Sequence, residues 1–166
     1  MGKLIKHLVI LFLSILLTVN LYAGSLALPR FVSIKSSKMN SRVGPGFDYP
    51  VIWHYWRKNM PVEIIEEYDQ WRKIRDFDGD ISWVYQSLLS GTRNAIVREG
   101  ADDDKNFLPI LSTPKADSRK ISKAEVGAIA KIYKCDGTWC SVGFGKTFGY
   151  VLERKLWGVY PNEVIK

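Results

Sequence analysis

From Phe31 onward the chain is a series of short β-branched and aromatic runs: FVSIKS, VIWHYW, VEIIEEY, WRKIR, ISWVYQ, AIV, FLPIL, AIAKIYK, WCSVGF and GYVLE. Turn residues separate them, among them Gly44-Pro45-Gly46, Asp78-Gly79, Asp136-Gly137 and Gly145-Lys146. Runs of this kind read as half-buried strands, and Asp-Gly pairs between them read as hairpin turns. No long amphipathic helical pattern follows the N-terminal segment. The pattern therefore predicts an all-β chain of small barrels or sandwiches.

Two turns precede VIWHYW. In the first, Pro45 sets φ for one central position and Gly46 can supply the positive φ that a type II turn needs at the next. In the second, Tyr49 precedes Pro50 and is driven to an extended conformation. The order of elements then repeats. Ile64 recurs as Ile132 and Trp71 as Trp139; after a loop one residue shorter, Val84, Leu89 and Gly91 recur as Val151, Leu156 and Gly158, with Trp83 matched by Tyr150. This predicts two related units of about 65 residues each, near the lower size at which a domain folds alone. The expected division falls between Arg93 and Ala95, giving units over 30–95 and 96–166.

Composition adds a compartment. Lys3 and Lys6 lead an apolar run from Leu8 to Val19, which gives way to small and polar residues, the layout of a signal peptide over 1–23. Cleavage is expected after Ala23, with Ala27 as the alternative. The apolar run, about 12 residues, is short of the roughly 20 needed to span a bilayer. The expected destination is the periplasm or the exterior, with no stable membrane span after cleavage. No cysteine lies near either cut, which argues against a lipid anchor. The whole chain carries a formal charge of +7; removing two leader lysines leaves about +5, which suits an anionic partner without defining any chemistry. Export disfavours nucleic acid as that partner.

Cys135 and Cys140 are the two cysteines of the chain. If Asp136-Gly137-Thr138-Trp139 forms a hairpin loop, they face each other within the usual disulfide span of about 5.5 Å between Cα atoms. In an oxidising compartment they are expected to form a clamp, in preference to a redox or metal site.

With these features in place, residues 31–97 resemble a bacterial SH3-like domain. The resemblance rests on NSRVGPGFDYPVI, then MPVEIIEEYDQWRKIRDFDGDISWV, then SLLSG. The second unit is similar through DGTWCSV, FGYVLERKLWG and VYPNE, but LSTPKADSRKI replaces the glycine-rich run, so any site on that loop is in doubt for this copy. The pair resembles exported SH3-domain proteins of Gram-negative bacteria. The resemblance implies two small SH3-like β-barrels in tandem after a signal peptide, and a binding module of the cell envelope.

Catalytic chemistry finds little support in the residues. His54 is the one histidine outside the leader and reads as an ordinary strand residue, with no nucleophile linked to it. The carboxylates Glu63, Glu66, Glu67, Asp76, Asp78 and Asp80 read as rims of strands and loops. GFGKTFG lacks the first glycine and the spacing of a phosphate-binding loop. No cofactor and no metal is expected, and the acidic run Asp102-Asp103-Asp104 reads as a solvated loop.

Aromatic residues are the richer signal. Trp53, Tyr55, Trp56, Tyr68, Trp71, Trp83 and Tyr85 fall in one unit, too many for all to be buried. The expectation is that Trp83 and much of VIWHYW form core. Tyr49, Trp71 and one of Trp53 and Trp56, bordered by Arg42, Arg72 and Asp69, are the candidates for an exposed groove. An extended peptide would lie in it, drawn from cell-wall peptidoglycan or from an envelope protein. Two other functions fit the same residues: a structural envelope adaptor with a protein partner, and a thiol-dependent enzyme using Cys135 or Cys140.

Overall fold

A computed structural model describes residues 26–101 and 103–166, so the leader expected over 1–23 lies outside the described residues. Among the described residues no helix is long and apolar enough to cross a membrane. The chain is all-β, as its pattern predicts. The first unit contains β1 (Arg30–Ile34), β2 (Met39–Arg42), β3 (Val51–Tyr55), β4 (Pro61–Tyr68), β5 (Trp71–Arg75), β6 (Ile81–Tyr85) and β7 (Leu89–Ser90). The second contains β8 (Asn94–Val97), β9 (Phe107–Leu111), β10 (Lys120–Glu125), β11 (Ile129–Asp136), β12 (Trp139–Phe144), β13 (Thr147–Leu152), β14 (Leu156–Trp157) and β15 (Val164–Ile165). A single 3₁₀ turn, Gln86–Leu88 in one unit and Glu153–Lys155 in the other, precedes the last strand of each repeat.

The sheet orders show the duplication. The first sheet runs β3-β2-β6-β5-β4-β1-β7 and the second β10-β9-β13-β12-β11-β8-β14, so each strand of the second takes the place held in the first by the strand seven earlier. β15 is the addition, pairing with β11. Even the irregularities recur, because β4 is bulged between Ile64 and Glu66 and β11 between Ile132 and Lys134.

Each sheet encloses its own core. Val32, Ile34, Met39, Tyr55, Val62, Ile64, Ile74 and Val84 fill the first. Ala95, Val97, Leu108, Ile110, Ile132, Val142 and Val151 are among those filling the second, with Cys135 and Cys140 buried beside them. The matched pairs Ile64/Ile132 and Val84/Val151 are thus core positions in both. Each fully buried side chain of this size contributes about 1.5–3 kcal/mol relative to exposure. The disulfide joins Cys135 and Cys140 directly opposite each other on β11 and β12, with Cα atoms 4.1 Å apart. There is no free cysteine among the described residues.

Two expectations are corrected. VIWHYW contributes little core: along β3 only Tyr55 is buried, its hydroxyl donating to Asp76 at 2.8 Å, while Val51, Ile52, Trp53 and His54 are exposed. The cause is position, since β3 is an outer strand of its sheet and pairs only with β2. The Gly44-Pro45-Gly46 turn is also not type II, because Gly46 does not adopt a positive φ.

The two units meet along a packed seam. Phe31 of β1 lies against Trp157 and Tyr160, with ring centroids 5.1 and 4.7 Å away, and Phe77 also packs on Trp157. Asn94 donates to the buried Ser33 hydroxyl at 2.8 Å, and Arg57 to the Gly127 carbonyl at 2.9 Å. Glu63 is buried and accepts from Arg75 in its own unit and from the Tyr160 hydroxyl, 2.8 Å away, in the other. Burial and this carboxylate push the Tyr160 phenol well above its ordinary pKa. The tail after Tyr160 is tied back as well, because Glu163 takes two hydrogen bonds from Arg93, at 2.7 and 2.9 Å.

Tyr160→Phe keeps the ring against Phe31 and removes the hydrogen bond to Glu63. A buried charged acceptor losing its donor should cost about 1–3 kcal/mol. Urea denaturation would register this as a lower midpoint with little change in slope; an unchanged midpoint would mean that the Glu63 contact adds nothing to the seam.

Candidate functional site

The register of β2 fixes the first wall of the candidate cleft. Met39 and Ser41 are buried, so the alternation of a strand turns Asn40 and Arg42 to the opposite face. On that same face lie Trp71, opposite Tyr85, and Lys73, opposite Trp83, which itself pairs with Arg42. The loop between β2 and β3 then folds over these residues and sets Phe47 on top.

Three rings make the hydrophobic wall. Phe47 meets Trp71 edge-on at 4.9 Å and Tyr85 at 5.5 Å, and Trp71 and Tyr85 are 5.6 Å apart. Such edge and tilted contacts follow the aromatic quadrupole and add about 0.5–1.5 kcal/mol per pair beyond burial. Together with Lys38, Met39, Asn40, Arg42 and Leu88, the rings line an open cleft of about 400 Å³. The Arg42 guanidinium lies 5.7 Å from the Phe47 ring centroid and donates to the Tyr49 carbonyl at 2.6 Å. The cation at the cleft is thereby held by the loop it helps to fold.

The glycines of this loop serve space. A Cβ on Gly44 would fall 2.4 to 2.7 Å from three atoms of the Tyr49 ring, and one on Gly46 would fall 3.1 Å from the other side of that ring. Tyr49 thus closes the turn from outside, a role that the Gly-Pro-Gly pattern implies once Tyr49 is placed beside it.

The residues expected to form the groove divide. Arg42 and Trp71 line the cleft. Trp71, however, is only 7% exposed and forms its floor, because Phe47 and Tyr85 cover it. Tyr49 braces the loop. Asp69 occupies the tight turn after β4 with φ of 48° and offers its backbone carbonyl, not its carboxylate, to Arg72. Trp53 and Trp56 are exposed outside the cleft, Trp56 beneath Lys38 at 5.0 Å from its ring centroid. The sequence reading named only Arg42 and Trp71 of the cleft residues; Phe47 and Tyr85, and the donors Asn40 and Lys38, were not among its groove candidates. The signal for Phe47 was present: an aromatic between two Gly/Pro turns has no strand on which to be buried.

Other chemistry is sparse. His54 is exposed and its Nδ1 lies 2.8 Å from Asn40 Oδ1. No group of three or more His, Cys, Asp or Glu side chains among the described residues is arranged to hold a metal ion.

The family model described as "Bacterial SH3 domain" matches the chain twice, at residues 35–91 and 104–158. Among curated proteins none matches. Among solved structures, NlpC2 from Trichomonas vaginalis matches at 15% identity with a TM-score of 0.35, the match covering 80% of this chain and 49% of that one. NlpC1 from the same organism is 15% identical with a TM-score of 0.32, covering 84% of this chain and 50% of its own. This chain matches about half the length of each.

Gly44→Ala should drive the new methyl into the Tyr49 ring. Overpacking of this kind costs about 1–3 kcal/mol, and relief by moving Tyr49 would disturb the Arg42 contact and the seating of Phe47. The expected outcome is a lower thermal midpoint together with changed near-ultraviolet circular dichroism from the Phe47, Trp71 and Tyr85 cluster. A Gly44→Ala protein matching the native spectrum and midpoint would remove the packing role assigned to this glycine.

Proposed function

The chain belongs to the bacterial SH3 domain family, whose members are binding modules, and from that premise we propose that it is a non-catalytic module of the cell envelope that recognises an extended peptide. The ligand is the peptide part of peptidoglycan or an extended protein segment, and it lies across the first unit. The observation that supports this reading best is the cleft itself. Phe47, Trp71 and Tyr85 give an apolar wall, and Arg42, Asn40 and Lys38 add donors to the same lining. That combination of a preformed apolar surface with a few polar groups suits a peptide, whose backbone carbonyls and carboxylates accept from the donors. The division between the units is taken at Arg93, ahead of β8 and within the span expected between Arg93 and Ala95, and the compartment as the periplasm or exterior.

The packed seam favours a second reading, an envelope adaptor that presents a rigid surface to one protein partner. The thiol-dependent enzyme has no support, since Cys135 and Cys140 are joined to each other.

Co-sedimentation of the protein with purified peptidoglycan at low and at physiological salt tests the leading reading, with Phe47→Ala and Arg42→Ala beside it. Phe47 is the better probe than Trp71 because it is 67% exposed and its truncation spares the floor of the cleft. The expected result is binding that persists at physiological salt and falls about tenfold or more in each variant, a loss of roughly 1.4 kcal/mol. Binding abolished by salt, or undiminished in both variants, would leave bulk charge as the cause and favour the adaptor.

A further inference from the structure

The two units place the same strands in the same order but fill one row of positions oppositely. In the first unit the row across β4, β5, β6 and β2 reads Glu66, Lys73, Trp83, Arg42. Lys73 fills its centre: its ammonium pairs with Glu66 at 2.9 Å and lies 5.6 Å from the Trp83 ring centroid. In the second unit the same row, across β11, β12, β13 and β9, reads Lys134, Ser141, Tyr150, Leu111. The long central side chain is gone, and the acid beside it has become a base.

A cleft of about 300 Å³ stands where that side chain would lie. Trp139, Ser141 and Tyr150 line it together with Pro114 of the loop between β9 and β10, and Lys134 and Asp136 complete it. Lys134 and Asp136 are two apart on β11, so they stand on one face about 6.6 Å apart along the strand. Lys134 forms no ion pair among the described residues. Asp136, which lines the cleft, accepts from the Thr138 and Trp139 amides through Oδ1 at 2.9 and 2.8 Å, and neither amide engages Oδ2. These amides hold the carboxyl below its ordinary pKa.

We propose that this cleft in the second unit is a separate binding site for a short peptide or amino-acid-like group carrying both a free carboxylate and a free ammonium. Lys134 takes the carboxylate, Asp136 Oδ2 takes the ammonium, and the faces of Trp139 and Tyr150 cover the apolar part between them. Both charged side chains line this one cleft, whose volume of about 300 Å³ admits a ligand the length of one or two residues. A singly charged ligand would leave one of the two facing an unmatched partner. The site is distinct from the Phe47 cleft, and its occupancy is independent of whether the first unit binds peptidoglycan.

The test is a titration of the ¹⁵N-labelled protein with dialanine having free termini, followed at the Trp139 indole N–H, beside the same dipeptide acetylated at its N-terminus and, separately, the same dipeptide amidated at its C-terminus. The expected result is a saturable shift of that signal with the free peptide, at least about tenfold weaker when either terminus is blocked. The double variant Lys134→Glu, Ser141→Lys rebuilds the Glu66 and Lys73 row of the first unit, so it should fold while filling the cleft. It should lose the saturable response, with the remaining amide signals dispersed as in the native protein. No shift with free dialanine, an equal shift with the blocked dipeptides, or an undiminished response in the double variant would each overturn the proposal.

Discussion

A one-residue bulge in the long strand of each unit decides which side chains share a face. In β4 the pairing passes from Ile64 with Ile74 to Glu66 with Lys73, so Ile65 is the extra residue. Without that step, simple alternation would carry Glu66 to the same side as buried Ile64. With it, Ile64 stays in the core while Glu66, Lys73 and Trp83 come into line on the opposite face. The same step after Ile132 in β11 puts Lys134 in line with Ser141 and Tyr150. Both clefts stand on the face that this register defines.

Once the face is fixed, the two units diverge by what covers it. In the first, Phe47 descends from a loop that closes tightly because Gly44 and Gly46 admit the Tyr49 ring between them. Phe47 and Tyr85 then bury Trp71 and leave a donor-lined cleft beside it. In the second, Leu152 stands opposite Trp139 where Tyr85 stands opposite Trp71, and Pro114 lies at the cleft where the first unit brings Phe47 to its own. No three-ring wall can form there, and Trp139 is left partly exposed.

The strands were legible where their residues are β-branched or aromatic, and WRKIR, FLPIL and WCSVGF coincide with β5, β9 and β12. β10, with the sequence KISKAE, carried no such signal. It is the outer strand of its sheet, nearly all of it exposed, and lysines there discourage pairing with another chain. The duplication was legible for a related reason: the matched residues Ile64, Ile132, Val84 and Val151 are core, where volume is most constrained. The site was less so. Burial of Trp71 depends on Phe47, a residue 24 positions earlier in the chain, and no local pattern around Trp71 carries that contact. Trp53 and Trp56 read as groove candidates for their chemistry, yet Trp53 stands opposite Ser41, on the face away from Arg42, and Trp56 lies beyond the end of β3.

The disulfide extends the comparison between units from recognition to stability. Cys135 and Cys140 are paired in the register positions that Glu67 and Arg72 hold in the first unit, where those two form an ion pair at 2.9 Å and Glu67 also receives Arg30. A surface ion pair contributes only about 0–1 kcal/mol and weakens with salt; a covalent link at the same place does not. The exchange matters because of what stands next to it. In the first unit Glu66 and Lys73 add a second cross-strand ion pair beside Glu67 and Arg72, so the hairpin is tied at two successive positions. In the second, Lys134 and Ser141 add none. Cys135 and Cys140 secure that hairpin from the core side, which frees Lys134 and Ser141 from holding the strands together and leaves them to shape an open cleft.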